Sequence, residues 1–91
     1  MSKAPARITV YLKPGCSLCD EALEALAALR SRHDFEMEIV DISSDPSLRA
    51  RLRMDIPVVA FNGERLFRHR VDVGLLERML TAPVEGDDSE A

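Results

Sequence analysis

Apolar positions along this chain alternate between a period of about two and a period of about 3.6, and the switches mark out seven elements. Arg7-Ile8-Thr9-Val10-Tyr11-Leu12 is rich in β-branched residues and predicts a buried strand. It runs into Lys13-Pro14-Gly15, where Pro fixes φ and Gly permits a positive one, so the chain turns. From Cys16 to about Arg32 the apolar residues Leu18, Ala22, Leu26 and Leu29 recur at helical spacing in a background rich in Ala and Leu. Phe35, Met37 and Ile39 then alternate with charged neighbours, which predicts a second strand reaching Ile42.

The second half follows the same logic. Asp45-Pro46 is a helix start, with Asp45 as N-cap and Pro46 in the first helical position. The short helix carrying Leu48 and Leu52 must stop before Pro57, and Val58-Val59-Ala60-Phe61 predicts a third strand. Asn62-Gly63 favours a type I′ hairpin turn, because both residues tolerate positive φ. Glu64 to His69 returns as the fourth strand, and Asp72 caps a last helix bearing Leu75, Leu76, Met79 and Leu80. The order is βαβαββα, an α/β chain. The first βαβ unit requires a right-handed crossover between parallel strands, and the hairpin adds an antiparallel pair, so the sheet is mixed, four-stranded and flanked by helices. One domain is expected over residues 7–82, with flexible tails at 1–6 and 83–91.

Composition narrows the class. Ninety-one residues bury roughly 60–65% of the unfolded surface, enough to fold without a metal or disulfide framework. The net charge of −4 argues against nucleic acid as the main partner. No apolar run approaches the roughly 18–20 residues of a membrane span, and no secretory leader is visible, so the chain is expected to be cytoplasmic.

The chemistry gathers where the first strand meets the first helix. Cys16 falls at the N-cap and Cys19 one turn later; residues at i and i+3 share a helix face, within the separation a disulfide requires. Free N–H groups and the macrodipole at the helix start stabilise a thiolate on Cys16, and such Cys-x-x-Cys thiols have pKa values of roughly 3.5–7.5 against about 8.5 for free cysteine. Lys13 adds positive charge nearby, whereas Asp20 and Glu21 oppose ionisation. Cys16 is therefore the expected nucleophile and Cys19 the resolving thiol. A zinc site would need four ligands, and His33 lies about 25 Å from Cys16 along the helix, so no metal is assigned. Two buried, inert cysteines would conflict with a position at a Pro-Gly turn and a helix start. Taken alone, Ile56-Pro57 is an ordinary trans bond that ends a helix.

Lys13-Pro14-Gly15-Cys16-Ser17-Leu18-Cys19, followed by Ile56-Pro57-Val58-Val59 and the Asn62-Gly63 turn, resembles the glutaredoxin branch of the thioredoxin superfamily. The similarity is to its small bacterial glutaredoxin-like members and extends from about Ile8 to Leu80. It implies a thioredoxin fold, with Pro57 cis beside the cysteines and the backbone of Ile56 receiving a substrate segment as an added strand. It also implies that Lys13 lies near a glutathione carboxylate. The activity implied is thiol–disulfide exchange on a disulfide-containing protein or a glutathione mixed disulfide. Such a protein is expected to act as a monomer, regenerated by a thiol reductant system, with glutathione as a co-substrate and no tightly bound cofactor. Two departures stand out: Ser17-Leu18 replaces the Pro-Tyr of well-known glutaredoxins, and Arg68-His69-Arg70-Val71-Asp72 lacks their Gly-Gly pair. The alternatives are a glutathione-dependent iron–sulfur binding module, which the missing glycines disfavour, and a partner-binding scaffold with incidental cysteines.

Overall fold

A computed structural model of the protein describes residues 6–81. The predicted order is observed: β1 (Arg7–Leu12), α1 (Ser17–Arg30), β2 (Glu36–Asp41), α2 (Pro46–Leu52), β3 (Val58–Phe61), β4 (Glu64–Arg68) and α3 (Val73–Thr81). The expected C-terminal tail lies outside the described residues. Ala6, counted with the N-terminal tail, is tied to β2, because its carbonyl accepts the Glu36 N–H at 2.8 Å.

The turn chemistry acts as the sequence implies. Gly15 takes φ +79°, and Asn62 and Gly63 take φ +52° and +89°, the two positive values that a type I′ turn needs. The Asp45 carboxylate accepts the N–H groups of Ser47 (3.0 Å) and Leu48 (3.2 Å), and that of Asp72 accepts the Leu75 N–H at 3.0 Å.

Three boundaries fall short of expectation, each for a local reason. Helix α1 ends at Arg30 rather than Arg32, because the Ser31 hydroxyl donates to the Ala28 carbonyl (2.6 Å) and the Arg32 and His33 N–H groups converge on Leu29. Strand β2 ends at Asp41 rather than Ile42. The Asp41 carboxylate accepts the Ser43 N–H (2.9 Å) and hydroxyl (2.6 Å), winding Ile42–Ser44 into a 3₁₀ turn. Strand β4 ends at Arg68, because His69 turns into the left-handed region at φ +68°.

The sheet order is β2-β1-β3-β4. Strand β1 runs parallel to β2 and antiparallel to β3, and β4 is antiparallel to β3 with a bulge opposite Val59/Ala60. Alternation along the strands divides the core into two layers. On one face α1 and α3 cover the sheet, joining Leu26, Leu29 and Leu76 to Ile8, Val10 and Val59. On the other, Leu52 of α2 meets Val58, Ile56, Ile42 and Cys19. Leu12, the last residue of β1, packs against both layers, so the strand delivers the chain to the place where they meet. The far end of α1 is pinned to α3, with His33 Nε2 2.7 Å and the Arg32 guanidinium 3.4 Å from the Glu77 carboxylate. The His33 hydrogen bond, with Arg32 behind it, holds that carboxyl below its ordinary value.

Candidate functional site

The site grows from the end of β1. The Pro14-Gly15 turn swings the chain so that Cys16 becomes the N-cap of α1, with extended backbone angles (φ −103°, ψ 112°). Its sulfur does what a capping oxygen does elsewhere and accepts the Cys19 N–H at 3.2 Å. One of the four N–H groups left open at a helix start is thereby directed at Cys16 Sγ.

The two thiols are unlike. Cys16 is half-buried at the surface, whereas Cys19 is 1% exposed within the layer formed with Ile42, Leu52, Ile56 and Val58. Burial pushes the Cys19 thiol up to about 11, helped by its hydrogen bond and electrostatic interaction with Cys16 and by Asp20, and a backbone hydrogen bond with Lys13 only partly offsets this. Cys19 therefore stays protonated at neutral pH. Iodoacetamide at pH 7–8 should modify Cys16 and leave Cys19 untouched, with mass spectrometry locating the adduct. Cys19 should react only as the pH approaches about 11 or once the protein unfolds. Labelling of Cys19 first would reverse the two roles.

Of the other predicted site residues, Ile56 is brought to the cysteines directly: it is buried in the cluster against which Cys16 packs. The Ile56–Pro57 bond is cis, and Pro57 is buried. The Ile56 N–H already donates to the Leu52 carbonyl at 3.1 Å, so a partner segment would meet Ile56 through its carbonyl alone. Lys13 is exposed, and its side chain takes no ion pair among the described residues.

Sequence inspection missed the residue that fixes this loop. His69 donates its backbone N–H to the carbonyls of Pro57 (2.8 Å) and Asp55 (3.2 Å), and its Nε2 lies 2.8 Å from the Met54 carbonyl. Nε2 must donate there, because a carbonyl can only accept. Arg68 adds an ion pair to Asp55 at 3.6 Å. Residues 54–57 are thus held from one side by Arg68, the last residue of β4, and His69, the first of the β4–α3 connection. The available signal was the departure already noted: a positive φ is required in the stretch where the glutaredoxin resemblance places glycines, and here a histidine adopts it.

A recess of about 200 Å³ lies between the first turns of α1 and this connection, lined by Leu18, Glu21, Ala22, Ala25, His69, Arg70 and Val71. Among the described residues no three His, Cys, Asp or Glu side chains come together as a metal site would need. His33 and His69 are engaged with Glu77 and the Met54 carbonyl.

Comparison with known proteins bears on the family and the fold. A family model described as "Glutaredoxin-like domain (DUF836)" matches residues 7–81. A structural genomics target protein from X. campestris is 31% identical, with a TM-score of 0.68 over 84% of this chain and 97% of its own. A Nitrosomonas europaea protein solved by NMR superposes with a TM-score of 0.75 at 24% identity, covering 89% of this chain and 98% of its own. Thioredoxin-2 of the malaria parasite, at 17% identity, covers 91% of this chain and 87% of its own with a TM-score of 0.67, a likeness of fold.

Proposed function

Because the chain belongs to the glutaredoxin-like domain family, we propose that it is a dithiol oxidoreductase that reduces disulfides of a protein partner through Cys16 and Cys19. The observation that supports this best is the asymmetry of the pair: an accessible sulfur at a helix N-cap, backed one turn inside by a buried, protonated thiol.

Exchange would run in two steps. The Cys16 thiolate attacks one sulfur of the partner disulfide; a Cys16–partner bond forms, and the other partner sulfur leaves as a thiolate that takes up a proton. The Cys19 thiol then loses its proton and attacks Cys16 Sγ, expelling the second partner thiol and leaving a Cys16–Cys19 disulfide. The partner gains two electrons and two protons. In the mixed disulfide Cys16 carries no charge and no longer offers the thiol–thiol hydrogen bond, so two of the causes that raise Cys19 disappear when it must ionise. Burial, the largest cause, remains and keeps Cys19 from reacting beforehand. A thiol reductant then restores the dithiol.

Glutathione is the less favoured reductant. Glycine's small size lets a carboxylate approach backbone N–H groups closely, and the adjoining recess is lined instead by His69, Arg70 and Val71. A coupled NADPH assay on insulin disulfides, run in parallel with glutathione plus glutathione reductase and with thioredoxin reductase alone, each against a blank without this protein, tests both points. Turnover is expected in at least one system, with less through glutathione. Absence of turnover in both, with a Cys16–Cys19 bond that still forms and reduces, would favour a scaffold.

A further inference from the structure

Charge is unevenly distributed over this molecule. The chain carries net −4, yet between Pro46 and Arg70 lie six arginines (49, 51, 53, 65, 68 and 70) and two carboxylates, Asp55 and Glu64. All six arginines are exposed, and among the described residues only Arg68 has a carboxylate within ion-pair distance. The excess lies against the loop that faces the cysteines. Arg65 and Arg68 edge an open depression of about 320 Å³ that Asp55, Val58, Leu66 and Phe67 also line. Asp55 and Val58 flank Ile56 and Pro57, placing this depression directly beside the predicted docking loop. Arg70 borders the recess on the α1 side, next to Leu18 of the Cys-x-x-Cys turn. Met54, at the head of the loop, is 75% exposed.

Protection of the β4 edge would explain Arg65 and Arg68. It does not explain Arg70, which lies beyond the end of the strand. We propose that this surface docks the partner through an acidic polypeptide segment, with carboxylates on Arg65, Arg68 and Arg70. This deepens the exchange reading by naming the partner's chemistry, and it rests on that reading for its purpose. The remainder of the protein is acidic, so the same field that draws an acidic segment to this patch repels it elsewhere and orients the encounter.

Binding can be tested separately from exchange. Disulfide-free peptides of one leucine-containing frame, flanked by glutamate or by lysine, are titrated against the reduced wild-type protein by fluorescence anisotropy at low and high salt. The glutamate peptide should bind about tenfold tighter than the lysine peptide, and high salt should remove most of the difference. The double variant Arg65→Glu/Arg70→Glu should abolish the preference, with an unchanged circular dichroism spectrum and cooperative thermal unfolding confirming that it folds. Equal binding of the two peptides, or a preference that the double variant retains, overturns the proposal. So does tighter binding of a single-stranded oligonucleotide, because the patch would then be a phosphate-binding surface. Failure of all disulfide reduction would defeat the oxidoreductase reading alone, because the peptide preference is measured without any exchange step.

Discussion

Serine in place of Cys16 should reduce disulfide turnover to the uncatalysed rate, a loss on the order of a thousandfold or more. A hydroxyl is a far weaker nucleophile than a thiolate at neutral pH, and Cys19 is too deeply buried and too firmly protonated to substitute. The variant is an unusually clean test, because serine is itself a preferred N-cap and can accept the Cys19 N–H that Cys16 Sγ now accepts. Thermal stability should therefore be unchanged or slightly raised, separating chemistry from folding. Cys19→Ser should behave differently: Cys16 still attacks, but the mixed disulfide persists and is recovered as a covalent adduct of protein and partner. Multiple turnover that survives Cys19→Ser on a protein disulfide would remove the resolving step from the mechanism.

The largest stability effect is expected at Leu76. It is 0% exposed and is the one fully buried residue through which α3 joins the layer of Ile8, Val10, Leu26, Leu29 and Val59. Leu76→Ala should cost about 2–5 kcal/mol, the transfer free energy of the lost atoms plus the cavity left behind. For a domain of this size that lowers Tm by about 10 °C or more, readable by circular dichroism. Leu75, one position earlier and 36% exposed, is the control: Leu75→Ala should shift Tm much less. Similar losses at both positions would mean that α3 does not pack as described.

Periodicity made the elements readable where they bury one face; in β2 the alternation was present but Ile39 is 51% exposed. Val58 and Val59 go to opposite layers, as alternation requires, and Leu26 and Leu29 share a helical stripe. Boundaries were less readable where a side chain, rather than a hydrophobic pattern, ends the element. Nothing apolar separates Ile42 from β2; the Asp41 carboxylate turning onto Ser43 does. At the site, the cysteine pair was evident from spacing and its place at a helix start, and the loop at Ile56–Pro57 came from family resemblance rather than composition. The bracing role of His69 was not evident. Its contribution depends on a left-handed φ and three hydrogen bonds to residues 12–15 positions earlier, and no local pattern encodes contacts of that kind.

The position of β1 in the sheet bears on how the molecule assembles. As the sole link between β2 and the β3–β4 hairpin, β1 has no neighbour that is close in sequence. Its contact with Glu36 spans 29 residues, and its contact with Asn62 spans 55. Closing such loops costs entropy before any burial is gained, which places the docking of β1 late and makes the hairpin the natural early unit. On a ribosome the order of emergence is reversed. The strand that leads to the cysteines is made first and cannot be sheltered on both sides until residue 62 has cleared the exit tunnel. Throughout that interval Cys16 and Cys19 are ordinary exposed thiols, without the burial that later keeps the second of them protonated.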